Sequence, residues 1–253
     1  ITCRDWSSDV CSSDLMRPEL YRQMAALQAL HWWFVARRNI LAPLIKQMAL
    51  PPQARILEIG CGTGGNLAML SAFGQVDAME YDVYAREIAA DLSGLPIAAG
   101  GLPEPVPFGN GQFDLVCLLD VLEHIADDAA ALGRVRQLLR PGGRILVTVP
   151  AYGWLWSPHD TAHHHYRRYT AEGLRRLAAA ADLKIIRAGY FNTLLFPLIA
   201  VVRIVGKLLG SSTDSDAAMP SPWLNAFLKN IFSLERHLVC FRLFPFGPSA
   251  AGI

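Results

Sequence analysis

Residues Ile56-Leu57-Glu58-Ile59-Gly60-Cys61-Gly62-Thr63-Gly64 set an acid and three glycines behind an apolar run, with the glycines on alternate positions. Such a run predicts a buried strand entering a tight turn, with a helix over Asn66–Phe73 directly after it. The first turn after a parallel strand is where an α/β sheet receives a nucleotide-like ligand. Glycines tolerate positive φ and carry no Cβ, so their backbone can lie directly against that ligand. Glu58 makes a phosphate an awkward guest and a cationic ligand a favourable one. Gly60 through Gly65 satisfy the dinucleotide pattern GxGxxG, and Glu80 follows at the distance that fingerprint asks. The glycines fit either kind of cofactor.

Two further clusters could do proton chemistry. Ser157-Pro-His-Asp-Thr-Ala-His-His-His-Tyr-Arg-Arg-Tyr-Thr170 follows the fifth predicted strand. Loops beyond the carboxyl ends of strands form the ligand crevice, and this one overhangs it. His159 or His165 is a candidate base, with Arg167 and Arg168 holding an anionic substrate. The alternative is that Asp160 and the arginines form ion pairs that shape the loop. Three consecutive histidines, His163 to His165, cannot easily converge on one ion. Asp120-x-x-Glu123-His124, past the fourth strand, adds His124 as a further candidate for proton transfer. A third cluster, His31-Trp32-Trp33-Phe34 with Arg37-Arg38, precedes the first strand. It could cover the cofactor, its rings near a cation, or pack as an amphipathic helix on the domain.

These residues need a frame. Met16–Leu50 is predicted helical, with Tyr21, Met24, Leu27, Leu30 and Phe34 at helical spacing, and Pro51-Pro52 ends it. Strands are expected at Arg55–Ile59, Gln75–Glu80, Pro96–Ala99, Phe113–Leu119, Arg144–Val149 and Leu183–Arg187. Helices are expected near Tyr84–Leu92, Asp127–Leu139 and Ala171–Ala181, with Gly100–Gly111 a loop. This alternation predicts a doubly wound, mostly parallel, Rossmann-like sheet of seven strands. After residue 190 the pattern changes. Phe191–Leu209 and Trp223–Phe241 read as helices joined by the polar Ser211–Asp216, and Phe246–Ile253 could begin a last strand that stops short.

The 253 residues suffice for one large α/β domain. Hydrophobic residues make up 52% and charged ones 18%, with net charge +1, which does not suggest nucleic acid as a partner. Residues 1–15 resemble a translated sequencing-library adapter, and Met16 is a natural start. Setting them aside leaves 22 basic against 19 acidic residues and removes Cys3 and Cys11. Cys61, Cys117 and Cys240 lack metal spacing and suggest a reducing, cytoplasmic compartment. Pro197, Arg203 and Lys207 interrupt the apolar stretch Tyr190–Leu209, so an interfacial or lid helix is expected rather than a span.

Three blocks carry a family resemblance: Ile56–Gly64, Phe113-Asp-Leu-Val-Cys-Leu-Leu-Asp-Val-Leu-Glu-His-Ile125 and Leu139-Arg-Pro-Gly-Gly-Arg-Ile-Leu-Val147. In this order, over roughly 53–190, the sequence resembles the class I S-adenosylmethionine-dependent methyltransferases, especially their type 11/12 domains. The resemblance implies S-adenosylmethionine as cofactor, with Gly60, Cys61, Gly62 and Gly64 beside its methionine and ribose, and Glu58 near its ammonium. It implies Glu80, with Tyr81 next to it, at the ribose hydroxyls and Asp120 at the methionine end. Many relatives hold adenine with an acid after the third strand. Here Gly100-Gly101-Leu102 stands instead, so Gly101 and Leu102 would hold it by backbone groups. Asp120-x-x-Glu123-His124 is similar to the E-x-x-E-H run with which ubiquinone-pathway O-methyltransferases hold a divalent metal. The favoured reading is that Glu123 and His124 fix the loop by hydrogen bonds, and no metal site is assigned.

The domains expected are an N-terminal helical lid (16–52), a methyltransferase core (53–190), an apolar helical insertion (191–245) and the start of a final strand (246–253). The expected function is methylation, at oxygen, of a small or lipid- or polyprenyl-linked acceptor. Peripheral contact with the cytoplasmic face of a membrane through 191–241 is the companion expectation. An NAD(P)-binding oxidoreductase and a non-catalytic methyltransferase-like binding protein are the alternatives.

Overall fold

The computed structural model describes residues 18–208, 219–239 and 247–252. The adapter-like segment 1–15, the linker 211–216 and Cys240 lie outside the described residues. The elements run α1 (Pro18–Leu30), α2 (Trp32–Gln47), β1 (Ala54–Ile59), α3 (Leu67–Ser71), β2 (Gly74–Glu80), α4 (Val83–Ser93), β3 (Ile97–Ala99) and β4 (Phe113–Leu119). Next come α5 (Asp128–Leu138), β5 (Leu139–Pro150), α6 (Pro158–Ala162), α7 (Ala171–Ala180) and β6 (Ala188–Phe191). The described chain closes with α8 (Phe196–Leu208), α9 (Pro222–Leu234), α10 (Arg236–Val239) and β7 (Ser249–Gly252).

Among the described residues the strands form one seven-stranded sheet in the order β3-β2-β1-β4-β5-β7-β6. β1 to β5 are mutually parallel, and β7 runs antiparallel to both β5 and β6. The order reverses between β1 and β4, the switch point at which open α/β sheets bind ligands. Central strands buried on both faces need continuous apolar sequence. In β4, Leu115, Val116, Cys117 and Leu118 are all fully buried, and each large side chain removed from water in this way stabilises by about 1.5–3 kcal/mol. One side of the sheet carries α5 and α7 through Leu132, Val135, Leu138 and Leu174. The other carries α2 through Ile40, Leu41 and Leu44, together with Phe191, Leu195 and Phe232 from the tail.

Several elements differ from the sequence expectation, β5 beginning at Leu139 rather than Arg144 and Trp223–Phe241 breaking at Glu235 into α9 and α10. The N-terminal segment is two helices, because His31 adopts an extended backbone (φ −67, ψ 134) and its side chain caps α2 by accepting from Trp33 N. The apolar spacing runs straight across this break and hides it. The sixth strand is not Leu183–Arg187. Asp182 turns the chain at φ +54, Leu183 N donates to Ala178 O at 2.9 Å to close α7, and pairing begins at Ala188, where Gly252 of β7 is opposite. The tail helix correspondingly starts at Phe196 rather than Phe191. Its entry turn is held by the fully buried Glu235, whose Oε2 accepts from Asn192 N and Oε1 from Leu194 N, both at 2.7 Å. The final strand forms within the sheet over Ser249–Gly252.

Candidate cofactor and acceptor site

At the carboxyl end of β1 the chain turns through Gly60, Gly62 and Gly64, all at positive φ. Gly60 N and Cys61 N donate to Met79 O at 2.9 and 3.2 Å, which binds the turn to β2. A methyl group at Gly60 would strike Val121 at 2.9 Å, whereas one at Gly62 would meet no protein atom within 4 Å. The Gly62 backbone therefore borders open space, the cradle a Cβ would begin to fill.

Carboxylates frame that space. Glu80, ending β2, accepts from Gly62 N with Oε2 at 2.8 Å and from Asp82 N with Oε1 at 2.9 Å. Burial pushes its pKa up, against those backbone hydrogen bonds. Glu58 is 1% exposed. Its Oε1 accepts from Asn66 Nδ2 at 2.8 Å, but its buried Oε2 has no hydrogen-bond partner. Burial raises its pKa from 4.5 to about 7, with Asn66 and Arg37 opposing. A buried anionic oxygen without a donor is costly, and an ammonium group supplies what it lacks. Gly101 lies beside the half-exposed Tyr81, its added methyl 3.5 Å from the ring, and Gly101 N donates to Pro105 O at 3.0 Å. Leu102 packs on the core from the same loop.

Asp120 ends β4 at φ +63. Its Oδ2 lies 2.9 Å from Arg37 Nη2, and its Oδ1 accepts from Thr148 Oγ1 at 3.0 Å. Arg37 also donates to Thr148 Oγ1 at 2.7 Å, while its buried Nε has no partner. The sequence groups Arg37 with a covering aromatic cluster and does not reveal its position against Asp120 or its influence on Glu58. The signal available is the arginine pair itself. Opposed orphan groups, Glu58 Oε2 and Arg37 Nε, match the ammonium and carboxylate of an amino-acid zwitterion. The N-terminal helices reach the glycine turn elsewhere as well. Thr63 Oγ1 donates to Gln28 Oε1 at 2.9 Å, Arg38 donates to Gly65 O at 3.2 Å, and the Tyr21 hydroxyl is pushed up by burial and by its hydrogen bond to Asp82.

Beyond Asp120, the 3₁₀ turn Leu122–His124 brings Glu123 and His124 against His165. The two imidazole rings meet edge-on with centroids 4.6 Å apart. Burial, with His165 and His163 nearby, lowers the His124 pKa to about 4. His165 Nδ1 lies 2.9 Å from Asp160 Oδ1. Burial raises the Asp160 carboxyl, but His165 and Arg168 outweigh it and hold it well below the usual range. Arg168 grips Asp160 with Nε at 2.8 Å and Nη2 at 2.9 Å, and Arg167 pairs with Asp128 at 3.0 Å. The two arginines therefore shape the loop rather than standing ready for an anionic substrate. The side chain of His159 lies outside the described residues. Burial, followed by the Asp120 charge, raises the Glu123 carboxyl well above normal. Its Oε2 is buried without a hydrogen-bond partner, while the Glu123 backbone carbonyl accepts from Tyr166 N at 2.7 Å and ties the turn to the histidine loop.

A methyltransferase-domain family matches residues 32–188, more than half of the chain. An uncharacterised 37.1 kDa protein in a transposon of Streptomyces fradiae is 26% identical over 76% of this chain, which spans 60% of that relative's length. A ubiquinone biosynthesis O-methyltransferase of Dinoroseobacter shibae is 28% identical over 70% of this chain and 82% of its own. Among solved structures, a SAM-dependent methyltransferase from Aquifex aeolicus superposes with a TM-score of 0.52 at 14% identity, over 70% of this chain and 93% of that one, a likeness of fold. With the glycine turn, its two carboxylates and the switch-point crevice in the matched segment, the chain belongs to the class I S-adenosylmethionine-dependent methyltransferases.

Proposed function

We propose that this protein transfers the methyl group of S-adenosylmethionine to a hydroxyl oxygen of a small or lipid-linked acceptor. The observation that carries this reading is the Asp160–His165 pair, set against His124 and Glu123 just beyond the β4 end. Glu58 receives the cofactor ammonium, Arg37 its carboxylate and Glu80 both ribose hydroxyls, while Gly60, Cys61, Gly62 and Gly64 lie along its methionine and ribose. Tyr81, Gly101 and Leu102 border the adenine. α1 and α2 cover the bound cofactor as a lid.

In the reaction the sulfonium C–S bond breaks as the C–O bond forms in line. The leaving group is neutral S-adenosylhomocysteine, and much of the acceleration is alignment. The hydroxyl proton passes to the imidazole of His165, which Asp160 orients and whose positive charge it stabilises. His124, with its depressed pKa, stays neutral beside it.

The lipid-linked character of the acceptor is supported by the tail. Leu198, Val201 and Val202 on α8 are each 57% exposed, and Trp223 on α9 is 72% exposed. α8 begins with Phe196 against Tyr152, ring centroids 5.9 Å apart, and Asn225 of α9 accepts from Trp32 N at 2.7 Å. Both helices thus start at the rim of the crevice and carry apolar surface outward, suited to a membrane face. Among the described residues no helix is long and apolar enough to cross a membrane.

The test is calorimetry with S-adenosylmethionine and with NAD(P), followed by release of S-adenosylhomocysteine over a panel of hydroxylated acceptors, polyprenyl-linked ones included. Binding of NAD(P) alone refutes the reading. So does methylation confined to nitrogen. Cofactor binding with no acceptor turned over would support the non-catalytic alternative.

A further inference from the structure

Asn225 of α9 lies on the junction between α1 and α2, 193 residues from Trp32 along the chain. Its Oδ1 accepts from Trp32 N at 2.7 Å, and its Nδ2 donates to Leu30 O at 2.9 Å. Leu30 closes α1 and Trp32 opens α2, so both are groups that helix ends leave without partners inside the helix. A primary amide carries an acceptor and a donor together, and this one meets both sides of the break at once. His31 alone joins the two helices, extended at φ −67 and ψ 134, so the angle between them turns on few dihedrals. On the crevice side Arg38 spans the same junction, Nη2 donating to Gln28 O at 2.7 Å and Nη1 to Gly65 O at 3.2 Å. α9 is itself seated firmly. Its Phe232 is fully buried, with ring centroids 6.0 Å from Trp32 and 6.2 Å from the stacked Phe191 of β6. Asn39 Nδ2 of α2 donates to Ser233 Oγ at 3.2 Å.

We infer that Asn225 is a positioning residue for the cofactor, holding α1 and α2 at the angle in which they close over the crevice. Both helices carry side chains to the cofactor turn. From α1, Gln28 Oε1 accepts from Thr63 Oγ1 at 2.9 Å, and the Tyr21 hydroxyl is hydrogen-bonded to Asp82, whose N donates to Glu80 Oε1. From α2, Arg37 reaches Asp120 at 2.9 Å. Asn225 acts through the junction rather than on the ligand, on the reading, on which this rests, that α1 and α2 cover the bound cofactor. A lid fixed at its closed angle binds with full affinity, whereas one that also samples open angles binds in proportion to the closed fraction. The helical insertion after β6 thereby serves the cofactor half of the site, from the far end of the sequence.

The test uses the full-length protein, calorimetry with S-adenosylmethionine, and amide exchange as a second readout. Asn225→Leu removes both hydrogen bonds at nearly constant volume. It should weaken cofactor binding about tenfold, the reach of two such bonds, and speed exchange across Pro18–Leu30. Asn225→Asp still accepts from Trp32 N but cannot donate to Leu30 O, so it should free α1 alone and give an intermediate loss. Asn225→Gln keeps the amide and should recover most of the affinity. Combining Asn225→Leu with Gln28→Ala should cost less than the sum of the two single changes, because both act by releasing α1. In turnover, KM for S-adenosylmethionine should rise while kcat at saturating cofactor stays within about twofold. Wild-type affinity in Asn225→Leu with α1 still protected overturns the clamp and leaves the lid intact. Faster exchange in α1 with affinity unchanged overturns the lid reading, and the clamp with it. Strict additivity with Gln28→Ala, or no recovery in Asn225→Gln, reduces Asn225 to a structural contact and also overturns the inference.

Discussion

Glu58→Gln separates what the β1 acid does for the fold from what it does for the cofactor. In the wild-type protein Glu58 is 1% exposed, its Oε2 lacks a donor, and burial lifts its pKa from 4.5 to about 7. A carboxyl raised in the folded state binds its proton there at pH values where the unfolded chain has already released it. Stability therefore falls as pH rises from about 4.5 to about 7. A shift of this size corresponds to at most about 3 kcal/mol, a large share of the roughly 5–15 kcal/mol that holds a typical domain folded. The substituted amide has no charge to desolvate, so cofactor-free Glu58→Gln should lose this dependence and exceed wild type in stability at pH 8. Urea unfolding at intervals from pH 5 to pH 8, compared at equal slope, measures it. With S-adenosylmethionine the sign reverses. On the proposed reading the cofactor ammonium stabilises the Glu58 carboxylate, so wild type should bind more tightly as pH rises toward 7 and release a proton on binding near pH 6. Calorimetry in buffers of different ionisation heat reads that proton. The variant should bind at least about tenfold more weakly with no proton release. Parallel pH profiles for the two proteins, or equal cofactor affinity, would refute the reasoning.

The remaining predictions concern the same crevice. Gly62→Ala meets no protein atom and should cost only about 1–2 kcal/mol for a side chain at positive φ, yet lose cofactor binding at least about tenfold; unchanged affinity by calorimetry would mean no ligand lies there. Glu80→Gln keeps an acceptor but adds an NH₂ where Gly62 N and Asp82 N already donate, so it should weaken S-adenosylmethionine binding while leaving methionine affinity unchanged. Asp160→Asn leaves Arg168, 8% exposed, beside a neutral partner; a loss of about 3–5 kcal/mol is expected, with turnover falling further than cofactor affinity. Val202→Glu, on the outward face of α8, should abolish co-sedimentation with anionic vesicles and leave the melting temperature within about 2 °C, since exposed substitutions rarely shift stability by more than about 0.5 kcal/mol.

What can be read from the sequence is what depends on local spacing. The strands β1, β2 and β4, the glycine turn with Glu58 and Glu80, and the α/β alternation all rest on neighbouring residues obeying one period. The misplaced sixth strand shows the opposite case. Leu183–Arg187 has the residue types of a strand, but a strand forms where a partner edge exists, and β7 pairs with Ala188–Phe191. Likewise the break at His31 is masked because apolar spacing continues through it. The site divides along the same line. Individual candidates such as His165 and Asp120 are visible, while their partners, Asp160 with Arg168 and Arg37 with Thr148, are chosen by packing of segments far apart in the chain.

Arg37 shows what that packing achieves. It is 4% exposed at the middle of α2, a helix otherwise anchored by Ile40, Leu41 and Leu44 in the core. Its side chain crosses to the ends of β4 and β5, where Asp120 and Thr148 take one terminal nitrogen and Nε is left without a partner. Glu58, at the end of β1, keeps an unpartnered oxygen of opposite charge and responds to Arg37 electrostatically. The two orphans do not satisfy one another, and each lacks the group that the other end of a bound methionine moiety carries. One belongs to the sheet and the other to the N-terminal helices. A zwitterionic ligand spanning both would therefore fasten α2 to the sheet, and α1 with it through Arg38 and Gln28. Cofactor binding should accordingly slow amide exchange across Pro18–Gln47 as well as in the glycine turn. Protection confined to the turn would mean that the helices merely pack beside the site.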